Sequence, residues 1–258
     1  MRLSIGYPTA TTIGKAGLPS LKNGLLNFAG GSGYENACVI GRSSEDEEGD
    51  LLSGCREETV DLPVSCILMR HAQGNVLFDT GCHPTIAENA EARWGNLAKF
   101  MTPVMSPDDN VLSGLRAVGL GPDDIDVVIC SHFHTDHCGC NEFFKKATMI
   151  VHARELSAAQ ASDSSNSGYF AADWKTENPL KIIESAEDVF GDGRLTVIEL
   201  PGHTPGTVGA LVKLDRSGEF LLTSDAVSIR ANLDTDHAPR NTWNVDQFLK
   251  SFAEVRKL

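Results

Sequence analysis

With 258 residues, 41% of them hydrophobic and 22% charged, the chain has the composition of a globular domain long enough to bury a core. A formal net charge of −13 and the lack of any lysine or arginine run exclude a polyanion-binding role, so no nucleic-acid partner is expected. No stretch approaches the roughly 18 apolar residues of a membrane span, and seven cysteines without regular spacing make a poor disulfide framework, so no membrane partner and a reducing, cytoplasmic location are expected.

In chain order, "MRLSIGYPTATTIGKAGLPSLKNG" lacks the apolar core of a secretory signal and reads as an opening strand and loop. The acidic run 41–50, "GRSSEDEEGD", reads as an exposed surface loop inserted into a single domain spanning 1–258. "VSCILMR" and "NVLFDTG" form a strand pair around a turn at Gln73-Gly74-Asn75, with Asp79 ending the second strand. "PTIAENAEARWGNLAKF" and "SPDDNVLSGLRAVGL" have helical spacing. "DIDVVICS" and "ATMIVHA" are strands, the second followed by the helical "RELSAAQ"; "SDSSNSG" (162–168) is a loop. Three strands follow at 194–200, 207–214 and 219–224. Last, "NVDQFLKSFAEVRKL" places Val245, Phe248, Leu249, Phe252 and Val255 on one helical face, capped by Asn244. Strands alternating with helices predict a layered α/β protein.

The chemistry concentrates in "VICSHFHTDHCGC", where His132, His134, Asp136 and His137 follow directly on a strand. If the chain stays extended, His132 and His134 point the same way and reach one ion. Asp136 and His137, brought together by a turn, would face a second ion. Imidazole and carboxylate suit zinc, iron, manganese or nickel. His203 in "LPGHTPG" and Asp225 in "LLTSDA" also follow strands, the ends at which α/β folds build their sites. His71, His83, His152 and His237 lack this context and read as structural or surface residues; Cys138 and Cys140 read as small packing residues.

In order and context, "SHFHTDHCG", "PGHTPG" and "SDA" resemble the metallo-β-lactamase superfamily, and the similarity covers nearly the whole chain. "VLFDTGCHP", "ARWGNLAKFMTPVM", "GLGPDDIDVVICSHFHTDHCG" and "NEFF" look most like its N-acyl homoserine lactonase group. The resemblance implies an αβ/βα four-layer sandwich with two divalent metal ions between the sheet edges, zinc foremost, with iron, manganese, cobalt or nickel as alternatives. His132, His134 and His203 match the ligands of the first ion, Asp136 and His137 two ligands of the second, and Asp225 the bridging carboxylate. Asp79 would be hydrogen-bonded beside the ligands. The implied reaction opens a lactone or related small-molecule ester through a hydroxide bridging the two ions, with Asp136 or Asp225 handling the proton.

Two departures from the group's pattern stand out. Where the group usually carries a substrate-contacting tyrosine, this chain has Ser228, whose hydroxyl reaches less far. The group's last strand and its final histidine would fall beyond Leu258, so the expectation is a truncated sandwich lacking that strand, a weakened second metal site, and an exposed sheet edge open to homodimerisation. His237 is a poor substitute for that histidine. A hydroxyacylglutathione hydrolase-like thioesterase and a catalytically impaired metal-binding fragment are the competing readings.

Overall fold

A computed structural model of the chain describes residues 59–99, 101–162 and 167–258, together with the short strands β1 (Ala10–Thr12), β2 (Leu25–Leu26), β3 (Ala37–Ile40) and β4 (Ser44–Glu47). Strands β5 (Thr59–Leu62), β6 (Cys66–His71), β7 (Gly74–Phe78), β8 (Thr102–Pro103), β9 (Val127–Ile129), β10 (Thr148–His152) and β11 (Leu180–Ile183) come next. Glu187–Asp188, Leu195–Glu199, Val208–Leu214 and Gly218–Leu222 complete the set as β12 to β15.

Two large sheets face each other. One has seven strands in the order β11-β10-β9-β7-β6-β3-β2, and the other has five in the order β1-β15-β14-β13-β12. Strict alternation along the strands builds two cores at once. Ile67, Met69, Val76 and Phe78 point between the sheets to meet Leu195, Val197, Val208, Ala210 and Val212. Leu68, Leu77 and Val128 point the opposite way, beneath the helices Val111–Ala117 and Ala153–Ala161. On the far side of the five-stranded sheet, Leu200 and Leu221 pack under the helix Val245–Val255. The result is the expected α/β/β/α sandwich. Parallel pairing of β7, β9, β10 and β11 demands long crossovers; the helix Val111–Ala117 lies in that from β7 to β9 and Ala153–Ala161 in that from β10 to β11.

The opening strand is present as β1, antiparallel to β15. The acidic run departs from its loop reading: Ser44–Glu47 is the middle strand of a small sheet, paired with β5 on one side and β8 on the other. Hydrogen bonds to strands on both edges satisfy this backbone, a pairing that composition does not encode. Residues 41–43, 48–50 and most of the 162–168 loop lie outside the described residues.

Two helices depart in detail. The segment expected to be one helix contains Ile86–Trp94, followed by a 3-10 turn at Gly95–Lys99. Asn89 breaks it internally (φ −155°, ψ 84°), because its side chain accepts the Ala92 N–H at 3.0 Å and recaps the next turn. In Val245–Val255, Asn244 caps as expected by accepting the Gln247 N–H at 3.0 Å. Phe248, Phe252 and Val255 are buried, but Val245, at the first position of the helix, is 52% exposed. Phe248 and Phe252 meet edge-on with centroids 4.7 Å apart. Truncating the fully buried Phe248 to alanine is expected to cost about 3–5 kcal/mol, measured by denaturant unfolding of the variant.

Candidate metal centre

Each predicted ligand sits just past a strand of one of the two facing sheets. His132 and His134 follow β9, and Asp136 and His137 occupy the one-turn helix Thr135–Cys138. His203 follows β13, and Asp225 lies in a 3-10 turn, Ser224–Val227, after β15. The strand expected over 219–224 therefore ends at Leu222, and the turn is what swings Asp225 into the cleft.

The side chains converge. Nδ1 of His134 lies 3.1 Å from Nε2 of His132 and 3.0 Å from Nε2 of His203. Asp225 divides its oxygens: Oδ2 is 3.3 Å from His203 Nε2 and 3.9 Å from His132 Nε2, while Oδ1 is 3.4 Å from His137 Nε2. Asp136 Oδ2 is also 3.4 Å from His137 Nε2. Two groups of donors, His132/His134/His203 and His132/His137/Asp225, each lie within 4.8 Å of one another.

Asp79 orients one of these rings. It is buried and adopts φ 61°, a left-handed conformation unusual outside glycine. Its Oδ2 accepts from His137 Nδ1 at 2.9 Å and from the Ser131 hydroxyl at 2.7 Å, and its Oδ1 accepts the Ser131 N–H at 2.7 Å. With Nδ1 donating to Asp79, the opposite nitrogen of His137 faces the cleft.

Charge in the cluster is arranged to receive a cation. Burial lowers the proton affinity of His132, His134 and His203, His134 to about 3, so their lone pairs stay free. Burial works against ionisation of Asp136 and Asp225, but the neighbouring His137 outweighs it, helped at Asp225 by His203, and both carboxyls stay below their usual range. His137 moves the other way: burial opposes its charge, and Asp225 and Asp136 overcome it. A tetrahedral ion with bonds of about 2.0–2.1 Å spaces its ligand atoms about 3.3 Å apart, close to the separations of the three ring nitrogens around His134. The donor set therefore fits divalent metal on both chemistry and spacing.

A cleft of about 570 Å³ opens over these groups. Ile67, Leu97, Met101, Ala158, Tyr169 and Trp243 supply apolar wall, Ser228 lines it, and its described lining includes no lysine or arginine.

Sequence spacing did not reveal several supporting residues. Trp94 Nε1 donates to Thr135 Oγ1 at 2.9 Å, and Thr135 Oγ1 donates to the buried Asp173 at 2.6 Å, which is also paired with Arg93. Ser224, at φ 46°, donates to Ser131 Oγ at 2.8 Å. These contacts join residues far apart in the chain, and no local pattern announces them.

The histidines set aside earlier have other partners. His71 contacts Asp192, His83 contacts Thr85 and Glu142, and His152 contacts Glu199 and caps its helix. His237 belongs to neither donor group and does not line the cleft. Cys138 and Cys140 are fully buried free thiols whose proton affinity burial raises, as packing residues would be.

The sequence model of the metallo-beta-lactamase superfamily matches residues 59–258. The chain belongs to the metallo-beta-lactamase superfamily. Among relatives in that superfamily, the N-acyl homoserine lactonase AttM of Azorhizobium caulinodans is 34% identical over 174 residues, 64% of this chain and 65% of AttM. The match thus spans less than two-thirds of AttM. An N-acyl homoserine lactonase of Bacillus cereus is 30% identical over 225 residues, covering 86% of this chain and 84% of the relative. A solved N-acyl homoserine lactone hydrolase, with N-hexanoyl-L-homoserine bound at its catalytic metal center, superposes with a TM-score of 0.77 at 26% identity. That superposition covers 86% of this chain and 87% of the other.

Proposed function

We propose that this superfamily member is a metal-dependent hydrolase that opens a lactone or a related carboxylic ester. The observation that carries the reading is the division of Asp225 between two sets of imidazoles at the floor of a largely apolar cleft. His132, His134 and His203 would hold one divalent ion, Asp136 and His137 a second, and Asp225 would lie between them. Such ions, zinc foremost and iron, manganese, cobalt or nickel as alternatives, polarise a carbonyl and lower the pKa of water toward neutrality.

The chain's own groups supply the remainder. The apolar wall binds an uncharged acyl portion and excludes water from it. Asp136 and Asp225, held ionised by the imidazoles beside them, accept the proton released at the attacking water. The Ser228 hydroxyl, half-buried in the lining, donates to a polar group of the substrate. Asp79 keeps His137 in one orientation through Nδ1. Among the described residues the buried thiols Cys82, Cys130, Cys138 and Cys140 form no disulfide, which supports a cytoplasmic setting, and no helix is long and apolar enough to cross a membrane.

The lack of lysine or arginine in the described lining disfavours an acylglutathione, whose carboxylates call for cationic partners. The test compares an N-acyl homoserine lactone with an acylglutathione thioester on zinc-loaded protein. Lactone opening is expected to dominate, to vanish after chelation and to return with added zinc. A preference for the thioester, or hydrolysis indifferent to chelation, would sink the reading. Metal analysis is expected to find one tightly held ion and a weaker second, since among the described residues the second ion would have only Asp136 and His137 to itself and would draw on Asp225, which also faces His203.

A further inference from the structure

Glu155 stands in the first turn of the helix Ala153–Ala161 and is 0% exposed. A carboxylate in that position persists only when its oxygens are hydrogen-bonded. Here both are. Oε1 accepts the Phe133 N–H at 2.9 Å; Oε2 accepts the Thr204 hydroxyl at 2.6 Å and the Gly206 N–H at 3.1 Å.

The partners matter more than their number. Phe133 lies between His132 and His134, and Thr204 directly follows His203. One side chain therefore grips both loops whose imidazoles converge from opposite sheets. The approach is close by construction: a Cβ on Gly206 would sit 2.2 Å from the Glu155 backbone nitrogen, so only glycine lets the "PGHTPG" loop reach the helix. The helix begins where β10 ends, and β10 pairs with β9, the strand that leads into His132. The grip is thus anchored to the same sheet as one of the loops it holds.

We propose that Glu155 is a positioning residue for the first metal site: it sets the separation of His132 and His134 from His203 by tying their backbones together. This rests on the metal-dependent reading above. It assigns Glu155 no contact with substrate or ion.

The test is Glu155→Gln, which keeps the shape and one acceptor oxygen but turns an N–H toward Gly206. Zinc affinity of the first site, measured by chelator competition, is expected to fall about tenfold, the low end of the effect of removing outer hydrogen-bond partners from a metal site. The visible absorption of the cobalt-loaded protein is expected to shift, reporting altered ligand geometry. Leu214→Ala, in the core between the sheets at the hairpin end of β14, six residues along the strand from the Val208 end that bonds Ser131, serves as the stability control. At matched loss of Tm it should leave zinc affinity and the cobalt spectrum unchanged. Should Glu155→Gln fail to fold, Thr204→Val removes a single donor and is expected to move both readouts in the same direction by a smaller factor.

Wild-type affinity and spectrum in the folded Glu155 variant, or in Thr204→Val if only that one folds, would overturn the proposal. So would an equal loss of zinc in Leu214→Ala. Wild-type protein that takes up neither zinc nor cobalt would overturn the metal reading as well, which separates the two failures.

Discussion

Asp225→Asn is expected to lower kcat/KM for lactone opening by about 10³-fold while leaving the far-UV circular dichroism unchanged. Metal Lewis acidity contributes several kcal/mol to such reactions, and each 1.36 kcal/mol is a factor of ten, so losing the arrangement removes roughly that much. The carboxamide keeps the volume of the side chain but surrenders a charge and one of the two acceptor oxygens that face His203 and His137. Metal content should fall with activity. His134→Ala is expected to behave alike, because His134 Nδ1 meets both His132 and His203. His237→Ala is the contrast: it belongs to neither donor group and should leave turnover within about a factor of two, the scale of a surface change of under 0.5 kcal/mol. A large loss at His237, or activity retained in Asp225→Asn, would mean that the site lies elsewhere.

The second large effect is expected at Gly202, beside the ligand His203. Its φ of +144° is rarely adopted by residues with side chains, and a Cβ there would lie 2.4 Å from Phe248 Cα and 2.5 Å from Phe248 N. Both obstacles are backbone and neither can rotate away. The loop and helix are also tied together, since the Gly202 carbonyl accepts the Asn244 N–H at 3.0 Å and the His203 carbonyl accepts the Trp243 N–H at 3.0 Å. Gly202→Ala is therefore expected to cost about 2–4 kcal/mol, combining left-handed strain with overpacking, and to weaken metal binding because His203 moves with the loop. Gly119→Ala separates the two causes. At φ +76° with nothing within 4 Å of its added Cβ, it bears the strain without the collision. It should cost about 1 kcal/mol and leave metal binding intact. Thermal unfolding and metal titration of both variants decide the matter; equal behaviour would remove the collision from the account.

Much of this was legible in the residues because the relevant signals are local. Unbroken apolar runs in "VSCILMR" and "NVLFDTG" encode strands buried on both faces, and Asn244 ahead of an amphipathic stretch encodes a capped helix. The crowding of His132, His134, Asp136 and His137 encodes donor chemistry that packing alone does not call for. Where the reading failed, the deciding contact was not local. Asn89 interrupts its helix because its own side chain recaps the backbone, while Ser44–Glu47 forms a strand because neighbours on both sides satisfy its hydrogen bonds. Val245 fits the helical pattern yet stays exposed at the first position of its helix.

The sequence by itself determined most of the element types outside the acidic run, the donor residues and the strand ends from which they emerge, because each depends on spacing within a few positions. Only the tertiary structure decided that Asp225 turns one oxygen toward each set of imidazoles, that Asp79 holds His137 by Nδ1, and that Glu155 spans the two ligand loops. Those relations join the ends of two different sheets, and their distances are set by how the sheets pack face to face, a quantity that no window of the chain contains.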